Sequence, residues 1–353
     1  ASGGIRVAVW RGKRVAAKAL HRARTQRDQA AWRQHYDEYM NEILTMASLA
    51  HPHVLRLHGA IMKPDLGQCA MVLELCECSL FELLHCPSAQ LLNPAAAGPE
   101  GAALGSSLGG GQWGAADASA DASAGAERPE LRRPTAARVM ATLLGYDAAL
   151  CSAPEAEAAA VLSSAGAASF EPSLYSKKAL IRLLAEVASA LAHMHALVPA
   201  VVHRDVKSHN VLLTCNPPQG GPGGRADELL GGAGGAGGAR VSARLCDFGL
   251  VGASTVDAGT PNYMAPELFR RGAYSRSVDV FALGMVVVET WSAEVPFDGF
   301  APEEIRRRVL AGERPALPSS MPGALCELVR DCWADEAARR PAAAELAEGL
   351  YAA

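Results

Sequence analysis

The sequence predicts an α+β chain in which a small β-rich portion, about residues 1–75, precedes a larger helical portion, about 76–353. Three observations carry this reading. Short strand-like runs come early, helical periodicity dominates later, and two low-complexity stretches interrupt an otherwise ordered pattern. Val15 to Leu20 and Ala70 to Leu75 read as strands. Between them Met40, Ile43, Met46, Ala47 and Leu49 recur near helical spacing, which predicts a helix over Tyr39 to Leu49 that stops before His51-Pro52. Ser79-Leu80-Phe81-Glu82 has the form of a capping box and should open the next helix. Ile181, Leu184, Val187, Ala188 and Leu191 mark one face of a long helix. Val280 to Trp291 is apolar nearly all round and is expected to be buried.

The two stretches, about 87–172 and 216–239, are rich in Ala, Gly and Ser and carry no motif. They hold too little bulky apolar surface to offset backbone ordering, about 1–2 kcal/mol per residue. Each is expected to loop out from the surface, where doubling the length costs only about 0.6 kcal/mol. Arg132 to Leu150 has more helical character and could form a short helix. Without both stretches roughly 240 residues remain, the size of one large domain.

Net charge is −4, and no basic cluster is dense enough to suggest nucleic-acid binding. The nine cysteines are scattered without a paired C-x-x-C set, which points to a reduced, intracellular (cytoplasmic) setting. No apolar run approaches the ~20 residues that a membrane span needs. Arg6, Arg11, Lys13 and Arg14 interrupt any signal-peptide core. The chain lacks an initiator Met and is expected to be an excised or processed piece.

Chemistry concentrates in His203-Arg204-Asp205-Val206-Lys207-Ser208-His209-Asn210 and, further on, Asp247-Phe248-Gly249. Together they offer a carboxylate base, a cation and two hard oxygen ligands, Asn210 and Asp247, of the kind magnesium prefers. Val211-Leu212-Leu213 and Ala243 to Cys246, both strand-like, bound the two motifs. Earlier, Lys18 closes Val15-Ala16-Ala17-Lys18, and Glu42 precedes His51-Pro52 on the predicted helix. Later come Gly259-Thr260-Pro261-Asn262-Tyr263-Met264-Ala265-Pro266-Glu267 and Cys332-Trp333 followed by Arg340.

In these motifs the chain resembles the eukaryotic protein kinases, of Ser/Thr type, and specifically the tyrosine-kinase-like group with its Raf and mixed-lineage branches. The resemblance implies a two-lobed protein-kinase fold with ATP and Mg2+ as partners in the reaction and Ser/Thr-bearing proteins as substrates. It assigns Asp205 as base and Lys207 as the cation that neutralises the travelling phosphoryl group. It places Lys18 on the α- and β-phosphates with Glu42 as its ion-pair partner, and Asn210 and Asp247 on the metal. Ala16 and Leu212 would sandwich the adenine, Leu73 would guard the rear of the pocket, and the backbones of Glu74 and Cys76 would meet the ring. Cys246 would be a small apolar wall. His203, Phe248, Met46 and Leu57 would stack into one column, Thr260 would contact Asp205 and Lys207, Glu267 would pair with Arg340, and Asp279 would cap the backbone around Asp205. Separately, the hydroxyls of Ser254 and Thr255 suggest an activating phosphorylation site, with Arg204 as the phosphate's receiver; an unmodified loop is the alternative.

One departure stands out. The glycine-rich loop expected before the lysine strand is reduced to Gly3 and Gly4, and the register that aligns Trp10 puts Ile5 at that loop's valine. A chain cut inside its own domain accounts for this, with weak ATP binding as the consequence; a divergent loop is the alternative. Two further readings stay open: a pseudokinase scaffold that binds partners without catalysis, and a small-molecule kinase. The sequence encodes neither the upstream activator nor the particular substrate.

Overall fold

A computed structural model describes residues 4–20, 28–63, 68–86, 139, 174–216, 240–252 and 259–353. Strands β1 (Ile5–Trp10) and β2 (Lys13–Leu20) form a hairpin whose two-residue turn has positive φ at Arg11 (50°) and Gly12 (75°). Such primed turns match the right-handed twist of the strands. Helix α1 (Asp28–Ser48) follows, then β3 (Leu57–Lys63) and β4 (Gln68–Leu73). The four strands make one antiparallel sheet in the order β1-β2-β4-β3. Helix α1 starts earlier than the periodicity predicts, because its first turns carry good helix formers with few apolar markers. Trp32 and Tyr36, stacked at 5.2 Å, are the apolar residues that anchor that end. The other end stops where Pro52 removes a donor and its ring opposes helical continuation.

A short strand β5 (Cys78–Ser79) leads into α2 (Leu80–His85). The capping box is present as expected: Glu82 N–H donates to Ser79 Oγ at 3.1 Å, and Ser79 N–H donates to Glu82 Oε2 at 2.8 Å. The long helix α3 (Leu174–His195) buries the face predicted for it. Strands β6 (Val211–Asn216) and β7 (Arg240–Leu245) pair antiparallel and, with β5, complete a three-stranded sheet. The remainder is helical: α4 (Pro266–Phe269), α5 (Ser277–Ser292), α6 (Pro302–Leu310), α7 (Gly323–Cys332) and α8 (Ala343–Ala352). Every residue of α5 from Val278 to Trp291 is buried, and α3, α7 and α8 pack against it. Each fully buried Val, Leu, Met or Phe there contributes about 1.5–3 kcal/mol relative to exposure.

The first insert departs from expectation at one residue. Val139 is helical and fully buried within the core cluster, so the stretch does not lie wholly at the surface. The remaining residues of both inserts, apart from Asn216 in β6, lie outside the described ones, as do Gly3, Ser254 and Thr255. Among the described residues no helix is long and apolar enough to cross a membrane.

Two register features position the site. Val211 pairs with Leu245, so the segment before β6 and the segment after β7 emerge side by side at one end of the small sheet. Leu245 also exchanges backbone hydrogen bonds with His53 (2.8 Å) and Leu55 (2.9 Å), tying the connection after α1 to the helical portion.

Candidate active site

Lys18 points from β2 toward α1, where Glu42 receives it with both carboxylate oxygens, at 2.7 and 2.9 Å. One turn earlier on α1, the Tyr39 hydroxyl donates to the Lys18 carbonyl at 2.7 Å and fixes the strand against the helix. The side chains of Lys18 and Glu42 are 13% and 7% exposed, which rules out two solvated surface charges. Asp247 Oδ1 lies 3.8 Å from the same ammonium. Burial works against charge on Lys18, but the Asp247 and Glu42 carboxylates outweigh it and hold its pKa above the ordinary lysine value. Burial likewise works against charge on Asp247, yet Lys18, Lys207 and His203 keep its carboxyl below the usual range. Lysine and aspartate are therefore both ionised at neutral pH.

The loop around Asp205 is held from below by Asp279, which is fully buried near the start of α5. Its carboxylate accepts from His203 N–H (2.9 Å), Arg204 N–H (2.8 Å) and His195 Nε2 (2.8 Å). Arg204 takes a left-handed φ of 69°, unfavourable for a long side chain, and these bonds offset the strain. Asp205 then sits inside a closed set of partners. Lys207 Nζ is 2.8 Å from Asp205 Oδ2 and donates to Thr260 Oγ1 at 2.8 Å, while the Thr260 hydroxyl donates to Asp205 Oδ1 at 3.1 Å. Asn210 Nδ2 donates to the Asp205 carbonyl (2.8 Å) and to Oδ2 (3.1 Å).

The donor set suits a magnesium ion. The Asn210 amide nitrogen is engaged by Asp205, and its amide oxygen is a hard ligand of the kind magnesium takes. Asp247, at φ 66°, is an ionised carboxylate with a Gly249 backbone hydrogen bond. The two are brought together by Cys246 N–H, which donates to the Asn210 carbonyl at 3.0 Å, and by His203 Nε2, which bonds the Cys246 carbonyl at 3.0 Å. Asn210, bonded to Asp205 by its side chain and to Cys246 by its backbone, links the two carboxylate-bearing segments at one place.

The residues expected around adenine are spread over both sheets. Ile5 pairs with Lys18, and Ala16 pairs with Leu73. Ala16, Leu73 and Cys76 are buried; Ile5 and Leu212 are half-buried. The Glu74 N–H is taken by the Arg56 carbonyl at 2.9 Å, so only the Glu74 carbonyl could serve a ligand's donor. Burial pushes the Cys76 and Cys246 thiols well up, which fits walls rather than nucleophiles.

The supporting contacts follow the expected pairs. Arg340 clasps Glu267 at 2.7 and 2.9 Å. His203 meets Phe248 edge-on at 5.1 Å, with Met46 buried and Leu57 partly buried in the same core. Arg204 donates from Nη1 to the Leu250 carbonyl at 3.3 Å and covers the Tyr274 ring at 4.8 Å. Sequence reasoning missed Glu289. This fully buried carboxylate takes Ser208 Oγ (2.7 Å), His85 Nε2 (2.9 Å) and Tyr263 OH (3.0 Å). The signal was an acid following the apolar run Val280 to Val288 of α5, since a buried charge persists only where several donors meet it.

A family model for protein tyrosine and serine/threonine kinases matches residues 3–350. A probable LIM domain-containing serine/threonine-protein kinase of Dictyostelium discoideum is 30% identical over 48% of this chain and 23% of its own length. The serine/threonine/tyrosine-protein kinase HT1 of Arabidopsis thaliana is 32% identical over 48% of this chain and 39% of its own. A probable serine/threonine-protein kinase of Dictyostelium discoideum, roco8, is 26% identical over 46% of this chain and 8% of its own. The matched region is thus well under half of each relative, and these relatives do not single out a Raf or mixed-lineage branch. With a family model spanning nearly its whole length, the chain belongs to the protein tyrosine and serine/threonine kinase family.

Proposed function

We propose that this chain transfers the γ-phosphoryl group of ATP to serine or threonine hydroxyls of protein substrates. The supporting observation is the closed cluster of Asp205, Lys207 and Thr260 beside the Lys18, Glu42 and Asp247 triad. Asp205 is placed to accept or orient the substrate hydroxyl's proton. Lys207, 2% exposed, supplies fixed positive charge where negative charge develops on the travelling group, and its contact with Thr260 favours Ser/Thr over Tyr acceptors. Lys18 would reach the α- and β-phosphates, a role its buried pair with Glu42 supports, and Ile5, Ala16, Leu73, Glu74, Cys76 and Leu212 would line the adenine end. Asn210 and Asp247 would hold magnesium, whose chemistry is to bridge phosphate oxygens and neutralise their charge.

On this reading residues 1–353 form one kinase domain, whose lobes meet between β4 and β5, at about residues 75–76. The free thiols among the described residues support a reducing, intracellular setting. The test is transfer of radiolabelled phosphate from ATP to a generic basic protein. Asp205→Asn should lower the rate by about 10²–10⁴-fold, the range for losing a positioned base. Equal background rates for wild type and variant would instead support a scaffold that binds without catalysis.

A further inference from the structure

Glu289 lies fully buried in the last turn of α5, a helix whose residues from Val280 to Val288 are all apolar and buried. A carboxylate in that position is tolerable only if its lone pairs are met by donors. Three donors reach it from three separate segments: His85 at the end of α2, Ser208 in the loop after Asp205, and Tyr263 in the loop that carries Thr260. Ser208 and Tyr263 oxygens are themselves 3.4 Å apart. One carboxylate therefore joins the two loops whose side chains, Asp205 and Thr260, bond at 3.1 Å.

Helix α2 grips the same turn a second time. Phe81 stacks on His209 with centroids 3.7 Å apart and 21° between planes, and meets His85 tilted by 42° at 4.6 Å. Among the described residues His209 Nδ1 has no hydrogen-bond partner, so stacking orients this ring. Ser208, His209 and Asn210 form a single 3-10 turn, and Asn210 binds Asp205 through its amide. A displacement of α2 would thus pass to Ser208 through His85 and Glu289, and to His209 through Phe81.

We infer that His85, acting through Glu289, is a positioning residue for phosphoryl transfer: it sets the spacing of the Asp205 loop against the Thr260 loop. The inference rests on the kinase reading above. Because a carboxylate accepts, the His85 ring donates from Nε2, and a glutamine can present its amide donor at nearly the same place.

The experiment uses the full chain and measures kcat and KM for ATP and for a generic basic protein, with a thermal melt of each variant. His85→Ala should lower kcat about 10-fold with the KM for ATP within about twofold of wild type, because misplacement alone costs rate rather than nucleotide binding. His85→Gln should recover most of that loss. Phe81→Leu keeps bulk but removes the stack, and should lower kcat in the same pattern; it carries the test if His85→Ala does not melt cooperatively. An active wild type whose folded variants retain its kcat overturns the inference alone, as does a loss seen only in the KM for ATP. A wild type without phosphate transfer overturns the kinase reading and this inference together.

Discussion

At the scale of single residues, the buried pair of Lys18 and Glu42 is a stability hazard as well as a chemical asset. Removing one partner strands the other charge in a low-dielectric setting, which costs about 3–5 kcal/mol, whereas removing both can be close to neutral. Lys18→Met should therefore destabilise the protein by about 3–5 kcal/mol in urea unfolding, since Glu42 is left buried with Asp247 nearby. Lys18→Met combined with Glu42→Leu should recover most of that loss while phosphate transfer stays abolished. A double variant as unstable as the sum of the single ones would refute the pairing. Lys18 and Glu42 were legible in sequence through the resemblance, which matches Val15-Ala16-Ala17-Lys18 and the glutamate before His51-Pro52 to the family's motifs. Glu289 was not, because its donors come from segments far apart in the chain.

Elements hold these side chains in place, and two positions expose how. Asp279 is the floor of the Asp205 loop: three donors converge on a carboxylate with no exposure. Asp279→Ala leaves at least two buried N–H groups unmet, at about 1–3 kcal/mol each. Faster amide exchange at His203 and Arg204, together with lost activity, is the expected result; unchanged exchange would contradict the capping role. Helix packing gives a second contrast. A Cβ at Gly284 of α5 would come within 2.7 Å of Cys332 Cβ on α7, an atom with no freedom to move aside. At Gly349 of α8 the nearest atoms belong to the flexible end of Leu328, at 2.8 Å. Gly284→Ala should cost about 1–3 kcal/mol by overpacking. Gly349→Ala should cost less or stabilise, because Ala is favoured over Gly in a helix by about 1 kcal/mol. Melting temperatures of the two variants check the order.

For the whole molecule, the connection after α1 is where the β-rich and helical portions are locked together. His51 lies there against His53 and His193, at 5.5 and 5.2 Å between rings, and accepts from His53 N–H at Nδ1. Burial, with His53 and His193 adding to it, lowers the His51 pKa from 6.5 to about 4. Burial beside Lys207 does the same for His209, also to about 4. Between pH 6.5 and 4 the unfolded chain binds protons that the native protein refuses, so stability is intact above 6.5 and falls as pH drops through that window. The urea midpoint should decline from pH 7 to 5, and His51→Asn, which keeps an acceptor near Nδ1, should flatten the decline. Equal slopes in the two proteins would dismiss the contribution of His51.

By itself the sequence determined the β-rich start and helical remainder, the capping box, the buried helix and the chemistry-bearing motifs, because these depend on spacing within short windows. It left the long start of α1 invisible, since polar helix formers carry no apolar period, and it did not anticipate Val139 in the core. Only the tertiary structure decided which distant groups meet. Pairing Val211 with Leu245 and Leu245 with His53 and Leu55 brings Lys18, Asp205, Asn210 and Asp247 to one place. Hydrogen bonds and ion pairs act over a few ångströms, and sequence distance does not record which residues the folded chain will bring that close.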